Sequence, residues 1–305
     1  MRDWVEFAFF MFVRWLVLLL PLHTAQRFGR MVGTIAYHLA ASRRRIAIDN
    51  LCHAFPEKSK QEIETIAKGS FRNYGIAMME FLWFPNLTDE HCARLVKVNN
   101  AEILKKGFLR GKGMVMLSGH FGNWELVAFG VALLCKLPFS IIVQTQSNML
   151  VDKVINEHRC LRGNKVIPKG MSVREIIKTL HNGGIIAIAP DQSGTMEGAF
   201  VDFFGRRVAT HQGPAVFALR TGAPLQIGFM MRQSDWSYNV LLEEIQTDDI
   251  AEFTDDHVLE LTRRHTALLE QYIRAYPDHW LWMHRRWKHI LSPATTASLE
   301  NSVYG

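Results

Sequence analysis

Short apolar runs alternate with longer amphipathic stretches through the middle of the chain, and this alternation predicts most of its elements. Met114–Leu117 is a four-residue apolar run flanked by glycines, the pattern of a buried strand. Ser118 and Gly119 close it, and WELVAFGVALL from Trp124 onward predicts a helix. Phe139–Gln144 predicts a second strand and Lys165–Pro168 a third, with a helix over Ser147–Cys160 between them. Ser172–Leu180 predicts an amphipathic helix that Asn182, Gly183 and Gly184 stop. GIIAIAP (Gly184–Pro190) is the continuous apolar run of a strand buried on both faces. Pro224–Met231 and Tyr238–Glu244 add two strands. Thr254–Ala275 adds a long helix, followed by the aromatic and basic Tyr276–Lys288. Such alternation predicts an α/β fold, a sheet with helices on both faces.

The amino-terminal third reads as helical. Trp4–Leu22 is strongly apolar but interrupted by Glu6 and Arg14, and Phe7–Leu20, with one arginine inside, is short for a span that needs about 20 apolar residues. Three readings stay open for it. It can span a membrane, lie in the interface with Trp4 and Trp15 at headgroup level and Arg14 snorkelling, or be buried in the protein's own core. Anchoring is favoured over spanning. Arg27, Arg30 and Arg43–Arg45 follow, suited to a cytoplasmic side or to anionic lipid headgroups, or else a solvated basic face. A helix closes at Pro56, and Lys60–Leu82 predicts a long amphipathic helix ended by Pro85. Its Ile63, Ile66, Phe71, Tyr74, Ile76 and Phe81 are expected in the core, or as one wall of an apolar groove. Ala101–Lys106 predicts a short helix before the Met114 strand. The expected division is an apolar anchoring helix over 1–25, one domain over 26–291 and a loose tail over 292–305.

Composition narrows the classes. A chain of 305 residues holds one large domain. Its 48% hydrophobic content is high for a soluble protein yet far below a polytopic one. A formal charge of +6 suits nucleic acid, anionic lipid or an acidic carrier. Nucleic acid is disfavoured, since there is no zinc-finger spacing, RNP-type motif or basic heptad. The four scattered cysteines, Cys52, Cys92, Cys135 and Cys160, read as reduced packing residues. No ligand spacing suggests a metal, and neither a G-x-S-x-G elbow nor a phosphate-binding P-loop is present, so no cofactor is expected.

The candidate chemistry lies in MVMLSGHFGNWE. His120 falls in the turn after a strand, and Glu125 in the first turn of the following helix. Gly119 and Gly122 allow a tight bend in which the two side chains can meet. An imidazole can take a proton from an alcohol while a carboxylate on its other nitrogen fixes the tautomer. The nucleophile would come from the substrate. On spacing alone the stronger alternative is a capping histidine and a first-turn glutamate suited to the helix dipole. The loop Asp191–Gly205 is expected after the Gly184–Pro190 strand at its carboxyl end, where open α/β sheets place ligands, and Asp191 and Gln192 leave the strand as a polar pair. Otherwise they are a turn-forming pair.

HFGNWE resembles the H-x-x-x-x-D/E mark of the lysophospholipid acyltransferase-like superfamily, and more narrowly the bacterial lipid A late acyltransferases. RRRIAIDNLCHAFPE, HRCLRGNKVIP, APDQSG, the Gly198–Leu225 stretch and YPDHWLWMHRRWK fall in the family's order. The resemblance implies a glycerolipid-acyltransferase-like mixed sheet flanked by helices, and an acyl carrier protein thioester as donor. It also implies a lipid A precursor as acceptor and the cytoplasmic side of the inner membrane. His120 and Glu125 become the catalytic pair. Arg159, four residues before Gly163, is implied in activity, and Asp191 and Gln192 near the acceptor. Arg162, Lys165 and Gly198 are expected at the substrate, with Glu197 and Phe200 beside Gly198. Arg206, Arg207, Arg285, Arg286 and Lys288 are further candidates for an anionic partner. Other lipid acceptors, hydrolysis, and non-catalytic lipid binding remain the competing readings.

Overall fold

A computed structural model describes residues 1–170, 173–250 and 252–290. The expected tail over 292–305 lies outside them. Four helices come first: α1 (Arg2–Leu19), α2 (Leu22–Leu39), α3 (Ala41–Ala54) and α4 (Lys60–Trp83). Ser59 starts α4 with a capping box: its Oγ accepts from the Glu62 amide at 3.3 Å, and the Glu62 carboxylate accepts from the Ser59 amide at 2.9 Å. Pro56 follows α3 closely, as expected of a stop.

A short helix α5 (Asp89–Leu95), strand β1 (Val96–Asn99) and helix α6 (Ala101–Leu109) lead to β2 (Met114–Leu117). The alternating part then runs α7 (Trp124–Cys135), β3 (Phe139–Val143), α8 (Met149–Arg159), β4 (Lys165–Pro168), α9 (Val173–His181) and β5 (Ile185–Ile188). A hairpin, β6 (Ala199–Phe203) with β7 (Arg206–Thr210), precedes α10 (Gly213–Thr221). Strands β8 (Leu225–Arg232) and β9 (Tyr238–Ile245) and helix α11 (Asp255–Ala275) complete the order.

Seven strands form one sheet in the order β1-β9-β8-β2-β5-β3-β4. Only β8 and β9 run antiparallel; every other neighbouring pair is parallel. The α/β sheet expected from the alternation is therefore present, and it is mixed, as the resemblance implied. All four residues of β2 are buried, because helices cover both faces. Alternate residues serve two cores. Val115, Leu117 and Ile186 face α10, α11 and the carboxyl-terminal tryptophans, and Met114, Met116 and Ala187 face α4 and α7.

Helices α2 and α4 cross on glycines. A Cβ on Gly33 would stand 2.3 Å from the Phe71 carbonyl oxygen, and one on Gly75 would stand 2.3 Å from that of Gly29. The two backbones approach this closely because Gly29, Gly33 and Gly75 carry no side chain at the crossing.

Several expectations are corrected. The stretch Asp191–Gly205 is not all loop, since it contains β6. Helix α5 and strand β1 are too short to have a readable period. Cys92 is buried, but Cys52 and Cys160 are exposed and so are not packing residues. Tyr74 is 39% exposed and stacks on Trp124 rather than filling the core. Arg14 turns into the protein, its Nε donating to His158 Nε2 at 3.1 Å, instead of reaching outward. Arg286 is no surface cation: it is buried, donating to the Ala209 carbonyl at 2.7 Å and to Thr210 Oγ1 at 2.6 Å. Burial lowers its pKa to about 10 despite the nearby Asp191 charge.

Gly75→Val should destabilise the chain by about 1–3 kcal/mol through overpacking at the α2–α4 crossing. Urea unfolding measures this; an unchanged midpoint would show that the crossing can spread without cost.

Candidate active site

His120 and Asp191 follow adjacent parallel strands. Leu117 of β2 is registered against Ile188 of β5. Each residue of the pair stands three positions further along its own strand. His120 Nδ1 lies 2.7 Å from Asp191 Oδ1. A carboxylate only accepts, so Nδ1 carries the proton and Nε2 keeps its lone pair. The His120 backbone amide also donates to Asp191, at 2.8 Å to Oδ2. Trp280 Nε1 donates to the same oxygen at 2.8 Å. Three donors on two carboxylate oxygens fix Asp191 in place, and its side chain is 2% exposed.

Burial alone would raise the Asp191 pKa. The His120 charge and these hydrogen bonds outweigh it and hold the carboxyl down to about 2. Burial likewise acts to lower the His120 pKa, but the Asp191 charge and hydrogen bond, with Glu125 adding to them, leave it raised above its ordinary 6.5.

The turn between β2 and α7 is held by backbone. Gly122 has φ of +60°, and a Cβ there would stand 1.8 Å from the Met230 carbonyl oxygen. Only glycine fits. The Gly122 amide donates to His279 O at 2.8 Å, and the Leu281 amide to His120 O at 3.0 Å. YPDHWLW thus forms a wall behind the turn. Asn123 caps α7, its Oδ1 accepting from the Leu126 amide at 3.0 Å.

Glu125 does not make the orienting contact that its spacing suggested; Asp191 makes it. Among the described residues, no hydrogen bond joins Glu125 to His120. Helix geometry turns Glu125 toward the end of α8, where Arg159 grips it with two bonds, Nε to Oε2 at 2.9 Å and Nη2 to Oε1 at 2.6 Å. Arg159 Nη1 donates to Asn156 Oδ1 at 3.2 Å. Three of the five guanidinium donors are used.

A cavity of about 580 Å³ opens against His120. Trp124, Glu125, Arg159 and Gln192 line it near the imidazole, and Gln192 Nε2 stands 3.3 Å from His120 Nε2. Its depth is apolar. Met116, Ala187 and Ile141 sit side by side on neighbouring strands, facing Val127 and Ala128 of α7. On the other face, Ile176 and Phe217 contribute from α9 and α10. His211 also lines the space; burial, then Lys169 and Arg286, lowers its pKa.

The remaining expected site residues lie elsewhere. Arg162 donates to the Leu87 carbonyl at 3.1 Å, and Lys165 is exposed at the start of β4. Gly198 packs on the Thr210 backbone in the β6–β7 hairpin, where a Cβ would stand 2.9 Å from the Thr210 carbonyl oxygen. None of the three lines the cavity. Trp280 and His211 had no signal beyond belonging to motifs, since their contacts cross long stretches of chain.

Ser118 also lines the cavity, but its hydroxyl donates to the Gly228 and Gly119 carbonyls, not to His120. Among the described residues, no set of three or more His, Cys, Asp or Glu side chains is arranged to hold a metal ion. Among the described residues no serine or cysteine hydrogen-bonds the His120 imidazole, which stands at the rim of an α/β sheet over an apolar cavity, an arrangement suited to a base acting on a substrate alcohol or water.

The chain belongs to the bacterial lipid A biosynthesis acyltransferase family, whose model matches residues 1–289. It is 28% identical over 292 residues to the lipid A biosynthesis palmitoleoyltransferase of Escherichia coli (strain K12), covering 94% of this chain and 92% of that protein. To the lauroyltransferase of the same strain it is 27% identical over 283 residues, 90% of this chain and 89% of that one. A phosphatidylinositol mannoside acyltransferase of Mycobacterium tuberculosis (strain CDC 1551 / Oshkosh) is 23% identical over 241 residues, 76% and 73% of the two chains. Its activity is accordingly that of an O-acyltransferase.

The raised His120 pKa can be read directly by NMR titration of the ring. The midpoint should lie above 6.5 in the parent and fall in Asp191→Asn, where burial loses its main opponent. A reaction that uses this imidazole as its base needs the free form, so the acid limb of the rate should then track the same midpoint, with activity present above it. A parent midpoint at or below 6.5 would contradict the coupling.

Proposed function

We propose that this protein moves a fatty acyl chain from an acyl carrier protein thioester to a hydroxyl of a lipid A precursor. The observation that carries the reading is the oriented imidazole of His120 facing an apolar cavity, with no protein nucleophile paired to it among the described residues. The acyl tail lies in the cavity beneath α7, where the small Ala187 leaves room between Met116 and Ile141. The acceptor hydroxyl approaches the thioester carbonyl beside His120. Nε2 takes the hydroxyl proton as the oxygen attacks, and Asp191 stabilises the imidazolium that forms. The tetrahedral intermediate collapses with loss of the thiolate, which takes the proton back from the imidazolium. Amide groups at the start of α7 are candidate donors to the oxyanion. Glu125 acts by holding Arg159 at the cavity wall and by adding negative field to the imidazole. The two free donors of Arg159 and the amide of Gln192 are left to contact substrate.

The names of the relatives support lipid A as acceptor, and one of them names a phosphatidylinositol mannoside instead. Acyl transfer to a panel of lipid acceptors, read by mass, separates the two. His120→Ala should abolish transfer without unfolding the chain, and Glu125→Ala should nearly do so. Asp191→Asn should lower turnover by a factor on the order of 10⁴, the scale set by losing the correct tautomer. Full activity of the His120→Ala protein would end the proposal.

The protein acts at a membrane surface, the cytoplasmic face of the inner membrane. Among the described residues, no helix is long and apolar enough to cross a membrane. Yet α1 buries only Val17, leaving Trp4, Phe9, Phe12, Trp15 and Leu19 exposed. Met31, Ile35 and Leu39 continue an exposed stripe at four-residue spacing along α2. Arg27, Arg30, Arg43 and Arg45 are exposed near it, placed for anionic headgroups. Replacing Phe9, Phe12 and Trp15 with serine should weaken flotation with anionic vesicles by at least about tenfold, given the transfer energy of large apolar side chains. Unchanged flotation would remove α1 from the membrane contact.

A further inference from the structure

Behind the catalytic turn lies a carboxylate that the chemistry above does not use. Glu80, near the end of α4, is 2% exposed. It accepts from donors on four separate elements. Oε1 takes Gln26 Nε2 of α2 at 2.7 Å and Arg232 Nη1 at the end of β8 at 3.0 Å. Oε2 takes Asn123 Nδ2 at 2.7 Å and the Tyr238 hydroxyl of β9 at 2.5 Å. Each carboxylate oxygen accepts about two bonds, so both are filled. Arg232 is locked in turn, with Nε on Asn73 Oδ1 at 3.4 Å and its guanidinium over the Tyr238 ring at 4.6 Å.

Asn123 is the link to the site. Its side-chain nitrogen goes to Glu80 and its oxygen caps α7 at the Leu126 amide. The two ends of an amide are not interchangeable. An acceptor-only group at Glu80 forces the nitrogen toward itself and so forces the oxygen onto the helix. The cap stands between His120 and Glu125 in sequence, and Trp124, the first residue of α7, packs on the His120 ring with centroids 5.0 Å apart.

We propose that Glu80 is a positioning residue for acyl transfer. It fixes which way Asn123 faces, and through that cap it holds the turn carrying His120, Trp124 and Glu125. It touches no reacting atom. The proposal rests on the reading of His120 as the base, and its test is arranged to fail separately from that reading.

In Glu80→Gln, the permanent charge of Arg232 keeps the new amide's oxygen. The new nitrogen then meets Asn123 Nδ2, donor against donor. Asn123 must turn over, presenting nitrogen to the Leu126 amide and losing the cap. Adding Asn123→Asp restores an acceptor toward both neighbours and returns one negative charge to the cluster.

The measurement is kcat and KM on the full chain with an acyl carrier protein thioester and a lipid A precursor, together with hydrogen exchange at the Leu126 amide. Glu80→Gln should lower kcat by about 10- to 100-fold, the scale of a small misplacement of catalytic groups, with KM for both substrates little changed. Leu126 should exchange faster. Asn123→Asp on that background should bring both kcat and Leu126 protection back toward the parent. Parent-like kcat in Glu80→Gln, or a loss that the second change does not restore, would overturn the proposal. If Glu80→Gln does not fold, the double variant decides: folded and active supports it, inactive overturns it. If the parent shows no transfer, the His120 reading fails alone and the Leu126 protection pattern decides the role of Glu80.

Discussion

One contact governs this site, the bond from the His120 imidazole to Asp191. The sheet creates it. Two parallel strands in register carry their chains out at the same level, so residues equally far beyond a registered pair emerge side by side. The bond sets the tautomer of the imidazole, turns its free lone pair toward the cavity and raises its basicity against the pull of burial. Trp280 and the His120 amide hold the carboxylate still, which binds the YPDHWLW segment to the same point.

The carboxylate of the HFGNWE motif itself is paired elsewhere. Glu125 sits one helical turn away and is gripped by Arg159, so that two ion-paired networks face the cavity from different sides. Separating them avoids placing two carboxylates on one imidazole. It also lets the end of α8 pack against the start of α7, closing the cavity wall that an apolar chain would lie against.

Much of the fold was legible because its strands are buried and its helices long. Met114–Leu117, Lys165–Pro168 and Gly184–Pro190 stand out as apolar runs with turn residues at their ends. Helix α5 and strand β1 did not, being too short for periodicity to register. At the site, His120 was legible from the motif, and Asp191 from its place after a strand. What could not be read was that the two meet. That depends on β5 lying next to β2, and strand order across 71 residues of separation is invisible to local pattern. The pairing of Glu125 with the imidazole was inferred from nearness in sequence, and helix geometry carried that side chain toward α8 instead. Arg286 looked like a surface cation because charge is visible in a sequence and burial is not.

The role of His120 stands or falls on where an acyl thioester binds. A crystal structure of the full chain with a non-reactive thioether analogue of a long-chain acyl pantetheine tests it most directly. The alkyl tail should run beneath α7 past Met116, Ala187 and Ile141. The group standing for the carbonyl should lie within one hydroxyl's reach of His120 Nε2, with the Asp191 bond intact. A tail seated elsewhere, or a carbonyl far from His120, would contradict it.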